Sequence, residues 1–143
     1  MKKYINYIGL LTLIVFFTNC DDKSSTESTV DPLVGVWVWT STTMTDGIET
    51  ISESPSTGNT ETIILNEDGS CSYIGQNPEG SYTGSGTWST NGNKLTLIVT
   101  FSGESTSNTL IMDYSISGSV LTGIVINTYD GVQVTTTYLY IKS

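Results

Sequence analysis

Side chains able to do chemistry are few in this chain, and their types set its limits. Its 143 residues include no His, no Arg and no Ala, and five Lys stand against 14 Asp plus Glu, a formal net charge of -9. Without His there is no Ser-His-Asp triad, no Cys-His dyad and no imidazole metal site. Without Arg there is no bidentate clamp for phosphate or carboxylate. The acidity opposes the backbone of nucleic acid, so no nucleic-acid partner is expected. Carboxylates occur as near neighbours at Glu67 and Asp68 and at Asp46 and Glu49. Paired acids could do acid–base work, and Asn66, Glu67 and Asp68 could approach calcium. Each group falls in or beside a turn, where acids are solvated, and the spacing of a calcium loop is missing. The expectation is a chain that is not an enzyme and carries no cofactor and no metal.

The two cysteines have different settings. Lys2 and Lys3 precede a ten-residue apolar run, 8–17, that ends in Phe17-Thr18-Asn19-Cys20. The run is too short to span a bilayer and suits the core of a signal peptide. An apolar run closing on a lone Cys resembles the lipobox of bacterial lipoproteins, with Phe17 where Leu is usual and Asn19 where a small residue is usual. The resemblance implies that 1–19 is a lipoprotein signal peptide and that Cys20 is lipidated and opens the mature chain. Loss of Lys2 and Lys3 then leaves three Lys against 14 acids, a charge of -11. Residues 20–31 hold the lipidated Cys and a polar tether without periodicity, with a reach of roughly 20 Å as a coil. Acids directly after Cys20 resemble the surface-export signals of Bacteroidetes lipoproteins. They imply a membrane partner through the anchor, in the outer membrane with the leaflet open. Cys71 is left alone, and its alternation with Tyr73 suits a small buried apolar residue.

Beyond Pro32 the chain alternates strand and turn. Asp46-Gly47, Asp68-Gly69, Asn91-Gly92, Ser117-Gly118 and Asp130-Gly131 carry hairpin chemistry between polar–apolar runs. Strands are predicted at 34–45, 48–53, 60–66, 70–76, 81–89, 94–101, 108–117, 119–128 and 132–142, with 48–53 either an extension or a ragged loop. A single helical turn fits 31–34; no other window past the signal has a helical period. Short connections predict antiparallel pairing of sequence neighbours, an all-β up-and-down meander of eight to nine strands. Such a meander hides its edges by closing into a barrel or by packing as two sheets, and the run of sequential hairpins favours the barrel.

Alternation also selects an interior. Asp113 belongs in water, so Met112 and Tyr114 point inward. The same logic places Trp37, Trp39, Tyr73, Tyr82, Trp88 and Phe101 inside, with Gly84 and Gly86 leaving room for a neighbour or marking a bend. Val36 and Val38 alternate with Trp37 and Trp39, so the outer face of the first strand is also apolar and needs a cover, from the tether or a strand overlap. The faces of 119–128 and 132–142 are ambiguous.

Leu33-Val34-Gly35-Val36-Trp37, Leu65-Asn66-Glu67-Asp68-Gly69-Ser70, Gly86-Thr87-Trp88 and Ile116-Ser117-Gly118 followed by Leu121-Thr122 stand in one order. That order resembles the lipocalin-like domains of Bacteroidetes lipoproteins and covers residues 32–143. The resemblance implies an eight-stranded barrel in which Trp37 closes the narrow end. It also implies a cation from the last strand over that Trp; with Arg absent, Lys142 is the candidate.

Two functions follow for a monomeric, membrane-anchored barrel. In one, the inward aromatic residues line a pocket for a small hydrophobic ligand. In the other they fill the barrel, and the lipoprotein serves a structural or protein-interaction role. A cavity of at least ~300 Å³ would favour the first, a filled core the second.

Overall fold

Five X-Gly turns divide the chain into extended runs, and the backbone at each shows why. Gly47, Gly69, Gly92, Gly118 and Gly131 all have positive φ, and Asp130 (φ 49°) joins Gly131 (φ 83°) in a two-residue turn with both centres left-handed. A computed structural model describes residues 30–143; the signal segment, Cys20 and the tether before Val30 lie outside the described residues.

The described residues are all β, without helix. The nine strands are β1 (Gly35–Thr45), β2 (Thr50–Glu53), β3 (Thr60–Leu65), β4 (Ser70–Asn77), β5 (Gly80–Asn91), β6 (Lys94–Phe101), β7 (Asn108–Ser117), β8 (Val120–Tyr129) and β9 (Val132–Lys142). From β3 to β9 each strand pairs antiparallel with the next. β9 returns to β1, from Trp37 opposite Lys142 to Thr45 opposite Thr135, and closes the sheet. Eight strands therefore form a closed up-and-down barrel, and the two-sheet alternative does not apply.

The ninth strand departs from simple neighbour pairing. β2 pairs only with the end of β1, Thr42 to Thr45, while β3 takes the start of the same edge, Gly35 to Val38. β2 is thus a short flap on the barrel wall, fully exposed along its length. Residues 31–34 form a turn closed by Val34 N–H to the Asp31 carbonyl at 2.8 Å, not a helical turn.

One core fills the barrel: Leu33, Trp37, Trp39, Ile63, Leu65, Cys71, Leu95, Leu97, Val99, Met112, Leu121 and Tyr140. Asp113 faces water, salt-bridged to Lys94 at 2.9 Å, and Met112 beside it is 2% exposed. The ambiguous strands resolve with Leu121 and Gly123 of β8 and Thr136 and Tyr140 of β9 on the inner face. The outer face of β1 does not gain the cover its sequence suggested. Val38 remains 39% exposed and its cross-strand partner Ile141 45%. A small exposed apolar pair on the outside of the sheet is tolerated, since a protein surface has too few polar side chains to cover it.

Candidate functional site

The two ends of the barrel differ. At the end where residues 30–34 join β1, Leu33 is fully buried and its carbonyl accepts the Trp37 indole N–H at 2.6 Å. Lys142 lies across this corner: its Nζ is 5.2 Å from the Trp37 ring centroid and donates to the Pro32 carbonyl at 2.9 Å. Gly35 makes the crossing possible, because a Cβ there would stand 2.6 Å from Lys142 Cε. Turn, indole and ammonium together seal this end.

The opposite end carries the loops 46–49, 54–59, 78–79, 102–107 and 130–131, and here the packing loosens. A cavity of about 180 Å³ is lined by Tyr73, Leu97, Val99, Phe101, Leu110, Asn108 and Thr109. Its apolar wall is built on the alternate residues Leu97, Val99 and Phe101 of β6, with Tyr73 of β4 and Leu110 of β7 beside them, and Asn108 and Thr109 at the start of β7 add a polar margin. Tyr73 and Phe101 meet edge to face at 5.3 Å, and Tyr82 stands 6.0 Å from each of them.

Glycines set these aromatic positions. Gly75 has no Cβ where the Tyr82 ring lies, so the ring crosses β4 toward β3. Gly84 leaves space for Val99 and Phe101. A Cβ on Gly86 would strike the Ile98 backbone carbonyl, so this glycine serves a close approach of strands instead. Gly123, on β8, accommodates the Met112 sulfur.

Glu61 is the feature at this site that its sequence did not announce. It is the second residue of β3, opposite Gly75, on the inner face with Ile63 and Leu65. The Tyr140 hydroxyl donates to Glu61 Oε1 at 2.5 Å. Tyr73 lies close enough to feel the charge of the same carboxylate, and the Tyr82 ring stacks beside Tyr73. Burial first, and the charge of Glu61 next, push the phenols of Tyr73, Tyr82, Tyr138 and Tyr140 above the ordinary tyrosine range. They stay protonated donors around the carboxylate. The signal was present in the alternation 61, 63, 65, since it leaves only one face for Glu61; an acid in that row simply conflicts with the expectation that acids face water.

The residues singled out in the sequence fall into three places. Trp37 sits under the sealed end. Trp39, Met112, Tyr114 and Trp88 pack in or against the core, Trp39 donating to Thr42 Oγ1 at 2.9 Å across a bulge after Trp39 and Trp88 donating to the Asn66 carbonyl at 2.8 Å. Tyr73, Tyr82 and Phe101 are brought together at the open end. Cys20 lies outside the described residues. The turn acids serve their own loops: Asp46 accepts from the N–H groups of Ile48 and Glu49, and Asp68 from the Ser70 hydroxyl and N–H. These hydrogen bonds hold both carboxyls below the usual range. Cys71 is a buried free thiol raised by that burial. Among the described residues no group of three or more acids and cysteines is placed to hold a metal.

In comparisons with known proteins, no family model, no curated protein and no solved structure matches the chain.

Proposed function

We propose that this protein is a lipid-anchored, lipocalin-like lipoprotein whose barrel binds a small, largely apolar ligand at its open end, without catalysis. The observation that carries this reading is the asymmetry of the barrel: one end sealed by Leu33, Trp37 and Lys142, the other holding an apolar, aromatic-walled cavity of about 180 Å³. That space is below the ~300 Å³ of an ordinary drug-sized site and close to one that takes a single aromatic ring. The ligand is therefore small. Lys142 over Trp37 is the arrangement the resemblance to lipocalin-like domains implies, and it supports that part of the reading.

The anchor rests on the apolar run ending at Cys20 and on the tether after it. Residues 30–34 enter the domain at the sealed end, so a lipid on Cys20 would attach on the side of the barrel away from the open end. A filled-barrel lipoprotein that acts through a protein partner is the second reading, favoured by the dense core from Leu33 to Leu121. Titrating the protein with a panel of single-ring and short-chain hydrophobic compounds, followed by Trp and Tyr fluorescence, separates the two. Saturable change with at least one small compound is expected. No change across the panel, together with a stoichiometric protein partner recovered from membranes, would establish the second reading instead.

A further inference from the structure

Charge is distributed along the barrel axis as unevenly as packing is. The described residues contain two lysines, and both belong to the sealed half: Lys142 over Trp37, and Lys94, which begins β6 there and pairs with Asp113. The open half has no cation among the described residues. It carries Asp46 and Glu49 in the first hairpin loop, Glu53 on the flap, and Glu79, Glu104 and Asp130 at the other turns, with Glu61 inside. A concave apolar site rimmed by one sign of charge concentrates ligands of the other sign.

Glu61 supplies the specific element. It is half-buried, it points inward, and it has no cationic partner in the described structure. Its hydrogen bond comes from the phenol of Tyr140, which brings no compensating positive charge. Tyr73, whose phenol is raised by burial and by the charge of this carboxylate, also lines the apolar cavity, and Tyr82 and Phe101 present further aromatic surface beside it. A carboxylate next to electron-rich rings and an apolar space is the chemistry that recognises an organic ammonium: charge pairing for the head, π faces for its polarised C–H or N–H groups, and apolar walls for the remainder.

We propose that the open end of the barrel selects small apolar cations, single-ring or short-chain amines, with Glu61 as the counter-ion and Tyr73, Tyr82 and Phe101 as the aromatic walls. This rests on the ligand-binding reading above and gives the ligand its charge. The partly exposed position of Glu61 keeps the cost of desolvating it moderate, so the ammonium gains more from the pair than it loses.

Three probes of matched size and different charge test it on the full chain by calorimetry: phenethylamine, 2-phenylethanol and phenylacetate. The amine is expected to bind tightest, roughly tenfold better than the alcohol, and phenylacetate weakest. Glu61→Gln should bring the amine to the level of the alcohol and leave the alcohol within about twofold of wild type. If the alcohol binds and the amine binds no better, or if E61Q leaves the amine unchanged, the cation preference is overturned while ligand binding stands. If none of the three binds, both readings fall. Should E61Q lose its native near-ultraviolet dichroism, the wild-type ratio in about 0.5 M NaCl decides, because the rim charges are then screened and an interior pair is screened far less. An amine-to-alcohol ratio that persists supports Glu61 as counter-ion; a ratio that collapses to one overturns it.

Discussion

At Gly75 a Cβ would overlap the Tyr82 ring and hydroxyl, so the side chain of one strand occupies the place another strand leaves empty. The substitution Gly75→Ala is expected to swing Tyr82 away from Tyr73 and Glu61 and to cost about 1–3 kcal/mol, as overpacking does elsewhere. Chemical denaturation gives the cost. The displaced ring shows as a changed near-ultraviolet dichroism, and a variant that keeps both signals unaltered would mean the ring is free to lie elsewhere. Gly35 does for Lys142 what Gly75 does for Tyr82, at the other end of the barrel. The sequence shows glycines at both positions but not their partners, because which side chain fills a missing Cβ depends on the strand alongside. Glu61 was hidden for a related reason. Its row of residues points inward, yet nothing local says that tyrosines from β4 and β9 will meet it there.

The strands themselves were largely legible, because period-two alternation and X-Gly turns act over a few residues. Strand limits read from that pattern agree with the structure to within one or two residues at most ends, and the inward direction of Met112 follows from Asp113 alone. What alternation could not give was the sharing of one edge of β1 between β2 and β3, since neighbour pairing is the default for short connections. The two elements should differ in what they contribute. Ile48, 91% exposed in the loop before β2, is expected to tolerate Ser within about 0.5 kcal/mol. Leu95 of β6, 1% exposed, should cost about 2–5 kcal/mol on replacement by Ala. Comparable losses for the two in urea denaturation would show that the flap is part of the cooperative core.

For the whole molecule, the tyrosines around Glu61 tie folding to alkaline pH. Their raised pKa values mean that the folded chain keeps protons which the unfolded chain releases near pH 10. The stability this linkage supplies is complete below that pH and is lost as pH rises above it. Tyrosinate absorbance should therefore rise in a late phase that coincides with loss of far-ultraviolet dichroism, and Tyr140→Phe should shrink that phase. Smooth ionisation of all tyrosines with the dichroism intact would contradict the burial of the cluster.

Closure of the barrel by β1 and β9 also fixes an order of events in time. The contact between Lys142 and Pro32 spans 110 positions, whereas the hairpins from β3 to β8 join close neighbours. Local hairpins can form while the chain is still being delivered, but β1 must wait for β9. During that interval two unpaired strand edges stand open, and each can pair with the wrong chain. Short acidic turns and a Ser- and Thr-rich surface keep such half-built barrels apart, so the composition that looks inert in the finished domain protects the domain while it is being made.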